Sequence, residues 1–139
     1  MTTEITSPAT NTELLRAAFA AFNAGDADKC MAFTAQDLIM NLAEMPEPRH
    51  GQQVWRQGFE MMRHAFPDLQ AHIEDIVAAR DRVALRLRFR GTHRGEFLGI
   101  PPTGHPIEYV SHEFYRIADG LIAEEWICSD MATLFRQLG

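Results

Sequence analysis

The chain has 139 residues, 46% of them hydrophobic and 23% charged, with a formal net charge of −6. That length is one domain with a full core, and the composition excludes long disorder, collagen and repeat arrays. The acidic balance argues against a nucleic-acid partner, and no apolar run approaches the roughly 18 residues of a membrane span. Met1–Thr10 lacks a charged-then-apolar leader pattern. Cys30 and Cys128 lie far apart and fit no metal spacing, which reads as two buried, reduced thiols of a cytoplasmic protein.

Residues 1–10 are small and polar and read as a flexible lead-in, leaving residues 11–139 as the single domain. Asn11 or Thr12 can cap a first helix, in which Leu15, Phe19 and Phe22 recur at helical spacing until Gly25. Asp26 can cap a second, short helix through Phe33. Asp37–Leu42 reads as a strand, and Pro46 and Pro48 then forbid regular structure. A third helix is expected from about Gly51 to Ala65, with Val54, Trp55, Phe59 and Met62 as its apolar stripe, stopped by Pro67.

From Asp68 onward the period changes. Leu69–Ala78 is expected as the second strand, and Val83 to about Phe97 as the third, where Leu85, Leu87 and Phe89 alternate with Arg86, Arg88 and Arg90. Gly99–Gly104 reads as a loop. Ile107–Ile117 and Leu121–Cys128 are the last strands, and Asp130 can cap a closing helical turn over Met131–Leu138. Helices followed by a meander mean α+β: a curved, mostly antiparallel sheet with three N-terminal helices on its concave side, enclosing a cone-shaped pocket.

Four segments resemble the SnoaL-like polyketide cyclase family, which has the nuclear-transport-factor-like α+β cone fold. They are Ala21-Phe-Asn-Ala-Gly-Asp26, Phe66-Pro-Asp68, the run from Gly91 to Gly104, and the run from Glu113 to Trp126 together with Asp130 and the terminal Gln137-Leu138-Gly139. The resemblance implies the fold firmly. The fold hosts cyclases, isomerases, dehydratases, hydrolases and binding domains, so the function must be argued from the site. The aldol cyclases that the chain resembles close a ring without metal or cofactor, by exchanging a proton between a side chain and the substrate.

The last hairpin carries the candidate chemistry. A three-residue Ala118-Asp119-Gly120 loop would oppose Glu113 to Glu125 and put Ser111, Glu113, Tyr115, Glu125 and Ile127 on one face. The other face of that register would carry His112, Phe114, Glu124 and Trp126, whereas a two-residue loop would put Glu113 beside Trp126. In the family the position three before the Arg of Arg-Ile-x-Asp-Gly faces the cavity, and here that position is Glu113. Two carboxylates on a buried face push one pKa up, giving an acid and a base in one pocket. The departure is Ile127: the family pattern, counted back from Asp130, puts the catalytic Asp of the aldol cyclases there. An isoleucine moves no proton, so Glu113 or Glu125 would have to serve, or the chemistry differs.

Other candidates keep two readings. His93 is either a pocket donor or base, or a histidine bonded to a loop. Asn41 could reach a carbonyl in the cone, and Asp130 either meets substrate or caps the last helix. Trp55, Phe59 and Tyr115 are apolar lining candidates. His93-Arg-Gly-Glu96 is no metal pair, because strand residues three apart face opposite sides, and no metalloprotease helix, nucleophile elbow or phosphate loop occurs.

The reading is a cofactor-free cyclase or isomerase acting by general acid–base catalysis on a hydrophobic, polyketide-like carbonyl compound. The alternative is a non-catalytic small-molecule-binding protein on the same fold. The Arg86, Arg88, Arg90 stripe is either a solvated outer face or a contact of a homodimer or dimer of dimers.

Overall fold

The computed structural model describes residues 4–139. Among them four helices and six strands run in the order α1 (Pro8–Asn23), α2 (Ala27–Ala32), β1 (Thr34–Leu42), β2 (Arg49–His50), α3 (Gln52–Ala65), β3 (Gln70–Ala79), β4 (Arg82–Thr92), β5 (Pro106–Ala118), β6 (Leu121–Ser129) and α4 (Met131–Leu138). The curved, unclosed sheet has the strand order β2-β1-β6-β5-β4-β3, antiparallel except where β1 runs parallel to β6. The α+β class expected from the helix-then-strand order is what the chain forms.

Three boundaries differ from the sequence expectation, each for a local reason. The first helix begins at Pro8, capped by Ser7, whose Oγ accepts from the Thr10 amide at 3.1 Å. Proline suits a first turn, where its missing N–H is no loss. Asn11 is therefore not a cap but a buried helix residue, donating to the Arg80 carbonyl at 3.3 Å. The expected lead-in is tied down as well: the Glu4 amide donates to Asp119 Oδ1 at 2.7 Å; residues 1–3 lie outside the described residues.

The third strand of the sequence reading stops at Thr92 rather than near Phe97. Arg94 and Gly95 both donate their amides to the Ala65 carbonyl at the end of α3, at 2.9 and 3.1 Å. Asp68 ties the same junction, accepting from the Thr92 amide at 2.7 Å and hydroxyl at 2.8 Å. At Gly95 a Cβ would stand 2.2 Å from the His64 carbonyl oxygen, so only glycine fits this approach.

The β5–β6 turn is the third difference. Asp119 and Gly120 both have positive φ, 53° and 73°, the signature of a two-residue hairpin turn. A bulge then adds one residue to β6, so Ile117 opposes Ile122 but Arg116 opposes Glu124. The register therefore matches neither sequence alternative: Glu113 opposes Ile127, Tyr115 opposes Glu125, and Ser111 opposes Ser129. Relative to the three-residue loop this is a slip of two positions beyond the bulge, which keeps those side chains on their expected faces, whereas before it Ile122 rather than Leu121 shares the inner face with Ile117.

The core lies between the concave face of the sheet and the helices. Leu38 and Met40 of β1, Val83, Leu85, Leu87 and Phe89 of β4, and Ile107, Tyr109, Tyr115 and Ile117 of β5 are buried against Leu15 of α1. Leu134 and Leu138 of α4 close the core where β6 ends. On the other face, Arg88 reaches Glu74 at 3.1 Å and Glu108 at 3.5 Å, and Arg90 reaches Glu108 at 2.9 Å. The arginine stripe is thus an intrachain ion-pair network. No described helix is long and apolar enough to cross a membrane.

Candidate active site

Alternation along β5 sends Ser111, Glu113 and Tyr115 inward, and the β6 bulge restores Glu125 to the same face. Glu113 and Glu125 are each only 4% exposed. Ionised carboxylates are costly to bury without partners. Glu113 has them: Ser111 Oγ donates to Oε2 at 2.6 Å, and the Tyr115 hydroxyl donates to Oε1. Glu125 Oε1 is buried with no partner.

This asymmetry decides which carboxyl carries charge. Burial pushes Glu113 up, but the hydroxyls of Ser111 and Tyr115 hold it back. Burial and the adjacent Glu113 charge push Glu125 to about 8. Of the two, Glu125 is the member that keeps its proton to higher pH, and Glu113 is the member whose charge the hydroxyls stabilise. Burial and the same charge also raise the hydroxyls of Tyr109 and Tyr115, which stay protonated donors.

The walls are apolar. Leu85 lies opposite Glu113 on β4, Ile127 opposite it on β6, and Phe19 of α1 meets Tyr115 edge-on at 6.4 Å. Phe89 and Tyr109 stack at 5.0 Å farther along the face. Cavities of about 230 and 340 Å³ lie elsewhere. The first is lined by Ala35, Asp37 and Arg116, the second by Arg90, Pro106 and Gln137.

The other expected site residues divide. Ile127 is on the inner face beside Glu113 and is half-buried. Trp55 and Phe59 stack at 5.1 Å on α3, where Phe59 joins Ala21 and Cys30 in a separate cluster; Trp55 touches both that cluster and the main core.

Asn41 does not point into the cone. It sits on the outward-facing set of β1, donating to Glu124 Oε2 at 3.0 Å and the Glu125 carbonyl at 3.1 Å, because the buried positions of that strand are Leu38 and Met40. His93 does not reach Glu113. It follows β4, whereas Glu113 pairs with Leu85 near that strand's other end, eight residues away, or about 26 Å of extended chain. His93 is fully buried, its Nδ1 accepting from the Thr103 amide at 3.1 Å and its ring packing on Phe66 at 5.6 Å. Asp130 is exposed and caps α4, accepting from the Thr133 amide at 3.1 Å and hydroxyl at 2.6 Å.

Two polar residues that the sequence reading left out of the site belong to it. Ser111 bonds Glu113 directly, and its Oγ lies 2.9 Å from that of Ser129. The signal was present in Ser111, two positions before Glu113 on the same strand face. Ser129 could be placed only once the bulge fixed the register.

Among the described residues no group of three or more His, Cys, Asp or Glu side chains could hold a metal ion.

A curved sheet packed against helices, with a buried acid pair and its tyrosine and serine donors on the inner face, defines an α+β cone domain. The chain belongs to the SnoaL-like polyketide cyclase family, whose model matches residues 12–138. It is 28% identical over 134 residues to the aklanonic acid methyl ester cyclase DnrD of Streptomyces peucetius, covering 94% of this chain and 91% of DnrD. Among solved structures it is similar to IdmH of Streptomyces antibioticus, a proposed polyketide cyclase, at 37% identity and a TM-score of 0.81, covering 92% and 97% of the two chains. It is also similar to AclR of Streptomyces galilaeus, a proposed hydroxylase, at 32% identity and a TM-score of 0.88, covering 96% and 83%.

Proposed function

We propose that this protein is a cofactor-free cyclase that closes a ring in a hydrophobic, polyketide-like carbonyl compound by general acid–base catalysis. The observation that carries the reading is the buried Glu113–Glu125 pair, one member held by two hydroxyl donors and the other with an oxygen that has no partner. Ionised Glu113 removes a proton from a carbon beside a carbonyl. The enolate attacks a second carbonyl of the same molecule, and neutral Glu125 protonates the resulting alkoxide. Atoms balance, because the product is an isomer of the substrate. Ile127 fits this assignment: where the aldol cyclases of the family carry their acid, this chain has an apolar residue directly across from Glu113, so the carboxyl stands on the neighbouring strand.

The direct test is incubation with aklanonic acid methyl ester and with simpler aromatic β-dicarbonyl compounds, followed by chromatography and mass spectrometry. A new product of unchanged mass supports the reading. Tight binding of these compounds without turnover would favour the second reading, a ligand-binding protein, which the presence of Ile127 also supports.

Two free cysteines support a cytoplasmic setting; Cys30 is buried as expected, but Cys128 is exposed, because it falls on the outer set of β6 opposite His112. Assembly into a dimer is supported by the outer sheet face, where Phe114 is 54% exposed opposite Trp126. Light scattering at micromolar concentration is expected to give about two or four times 15.7 kDa, for a dimer or a dimer of dimers, and a particle of 15.7 kDa would refute assembly.

A further inference from the structure

The proposed cycle leaves its protons in the wrong places. After one turnover Glu113 holds the proton taken from carbon, and Glu125 holds a charge. Glu113 is 4% exposed, so it cannot shed that proton to bulk water directly. Its surroundings offer little help. Tyr115 is itself buried, Leu85 of β4 and Phe19 of α1 carry no charge, and the titratable groups facing it are Tyr109, Tyr115 and Glu125.

One route leads outward. Ser111 Oγ is 2.6 Å from Glu113 Oε2, and Ser129 Oγ is 2.9 Å from Ser111 Oγ. A serine hydroxyl has one proton to give. Ser111 spends its proton on Glu113, so it must accept from Ser129, and both hydrogen bonds point the same way. Ser111 is fully buried, whereas Ser129 is partly exposed at the last position of β6. The pair thus spans from the carboxylate to the rim of the sheet.

We propose that Ser129 and Ser111 form a proton-conducting pair that connects Glu113 to solvent and resets it between turnovers. This rests on the acid–base reading of Glu113 for its purpose but not for its chemistry. Inward, a water or buffer acid gives a proton to Ser129 Oγ, Ser129 passes its own to Ser111 Oγ, and Ser111 passes its own to Glu113 Oε2. Both hydroxyls end neutral, the carboxylate becomes a carboxylic acid, and the donor carries away the balancing negative charge. Outward transfer is the reverse. Ser111 and Ser129 are positioning residues, since neither is required to touch substrate.

The test needs no substrate. In Glu125→Gln protein, which leaves Glu113 as the remaining member of the pair, a photoacid delivers a pH jump, and time-resolved infrared spectroscopy follows the Glu113 carboxyl band, assigned by its loss in Glu113→Gln. Ser129→Ala is expected to slow protonation at least about tenfold while leaving the equilibrium midpoint in place, and Ser129→Thr, which keeps a hydroxyl, to restore it. Ser111→Ala is the second variant. It should slow protonation equally and, by removing a donor from the carboxylate, also raise the midpoint.

Unchanged rates in both alanine variants would overturn the proposal and mean that protons reach Glu113 by local opening. Slowed protonation in a protein that turns over no substrate would leave the relay standing and remove only the catalytic reading.

Discussion

Glu125→Gln is expected to make the protein more stable at pH 9 by a few kcal/mol and nearly unchanged in stability at pH 4. A glutamate that titrates near 4.5 when unfolded and near 8 when folded prefers its neutral form in the native state. The stability this gives is fully present below pH 4.5 and is lost as pH rises to about 8, because the native state must then hold a buried charge. Glutamine has the shape of the neutral acid and cannot ionise, so the downward slope over this window should largely vanish. A slope of the same sign remains from Glu113, which burial also raises.

Below this window the sign reverses. Burial pushes Asp68 up, but hydrogen bonds from Thr92 outweigh it, and Thr133 likewise holds Asp130 below the usual range. Both carboxylates contribute stability that is lost as pH falls through their lowered values. Urea denaturation of wild type and variant at pH 2, 4, 7 and 9 measures both limbs. Equal stability of the two proteins at pH 9 would show that Glu125 is not the strained group.

Glu113→Gln is expected to lower kcat by about 10²–10⁴ on whatever substrate the protein turns over, with KM changed little. Glutamine keeps the volume and still meets the hydroxyls of Ser111 and Tyr115, but it cannot take a proton from carbon. Stability should not collapse, since the substitution removes a buried charge rather than a packed group. Wild-type kcat/KM should rise as Glu113 ionises and fall as Glu125 loses its proton near pH 8, a bell whose alkaline limb disappears in Glu125→Gln. Full activity in Glu113→Gln would move the search to the other face of the hairpin, where His112 and Trp126 lie.

Much of the architecture was legible because it is periodic. The alternation of Leu85, Leu87 and Phe89 with arginines placed β4 and its faces, and Asp26 and Asp130 marked two helix starts as side-chain caps. The inward direction of Glu113 came from the family resemblance, since alternation divides a strand into two faces without saying which is inner. What alternation cannot supply is register. The Asp119–Gly120 turn alone opposes Glu113 to Trp126, and only the bulge after Ile122 returns Glu125 to the inner face. A bulge is one extra residue with no sequence mark here.

Asn41 and His93 failed for a related reason. Each was assigned by residue type and neighbourhood, but Asn41 falls on the odd set of β1, and the chain leaves the sheet at Thr92 because the end of α3 binds its amides. The paired segments Phe66-Pro-Asp68 and Gly91–Gly104 turn out to be two halves of that one junction, joined by Asp68 and Thr92.

The claim on which the rest depends is that the buried pair shares one proton at neutral pH. Carbon-13 NMR of protein labelled at the glutamate carboxyls, titrated from pH 4 to pH 10 and assigned with Glu113→Gln and Glu125→Gln, measures it directly. The structure predicts that the Glu125 carboxyl is protonated at pH 7 and titrates near 8, with Glu113 ionising below it. Two carboxyls that both finish titrating below pH 6 would contradict it.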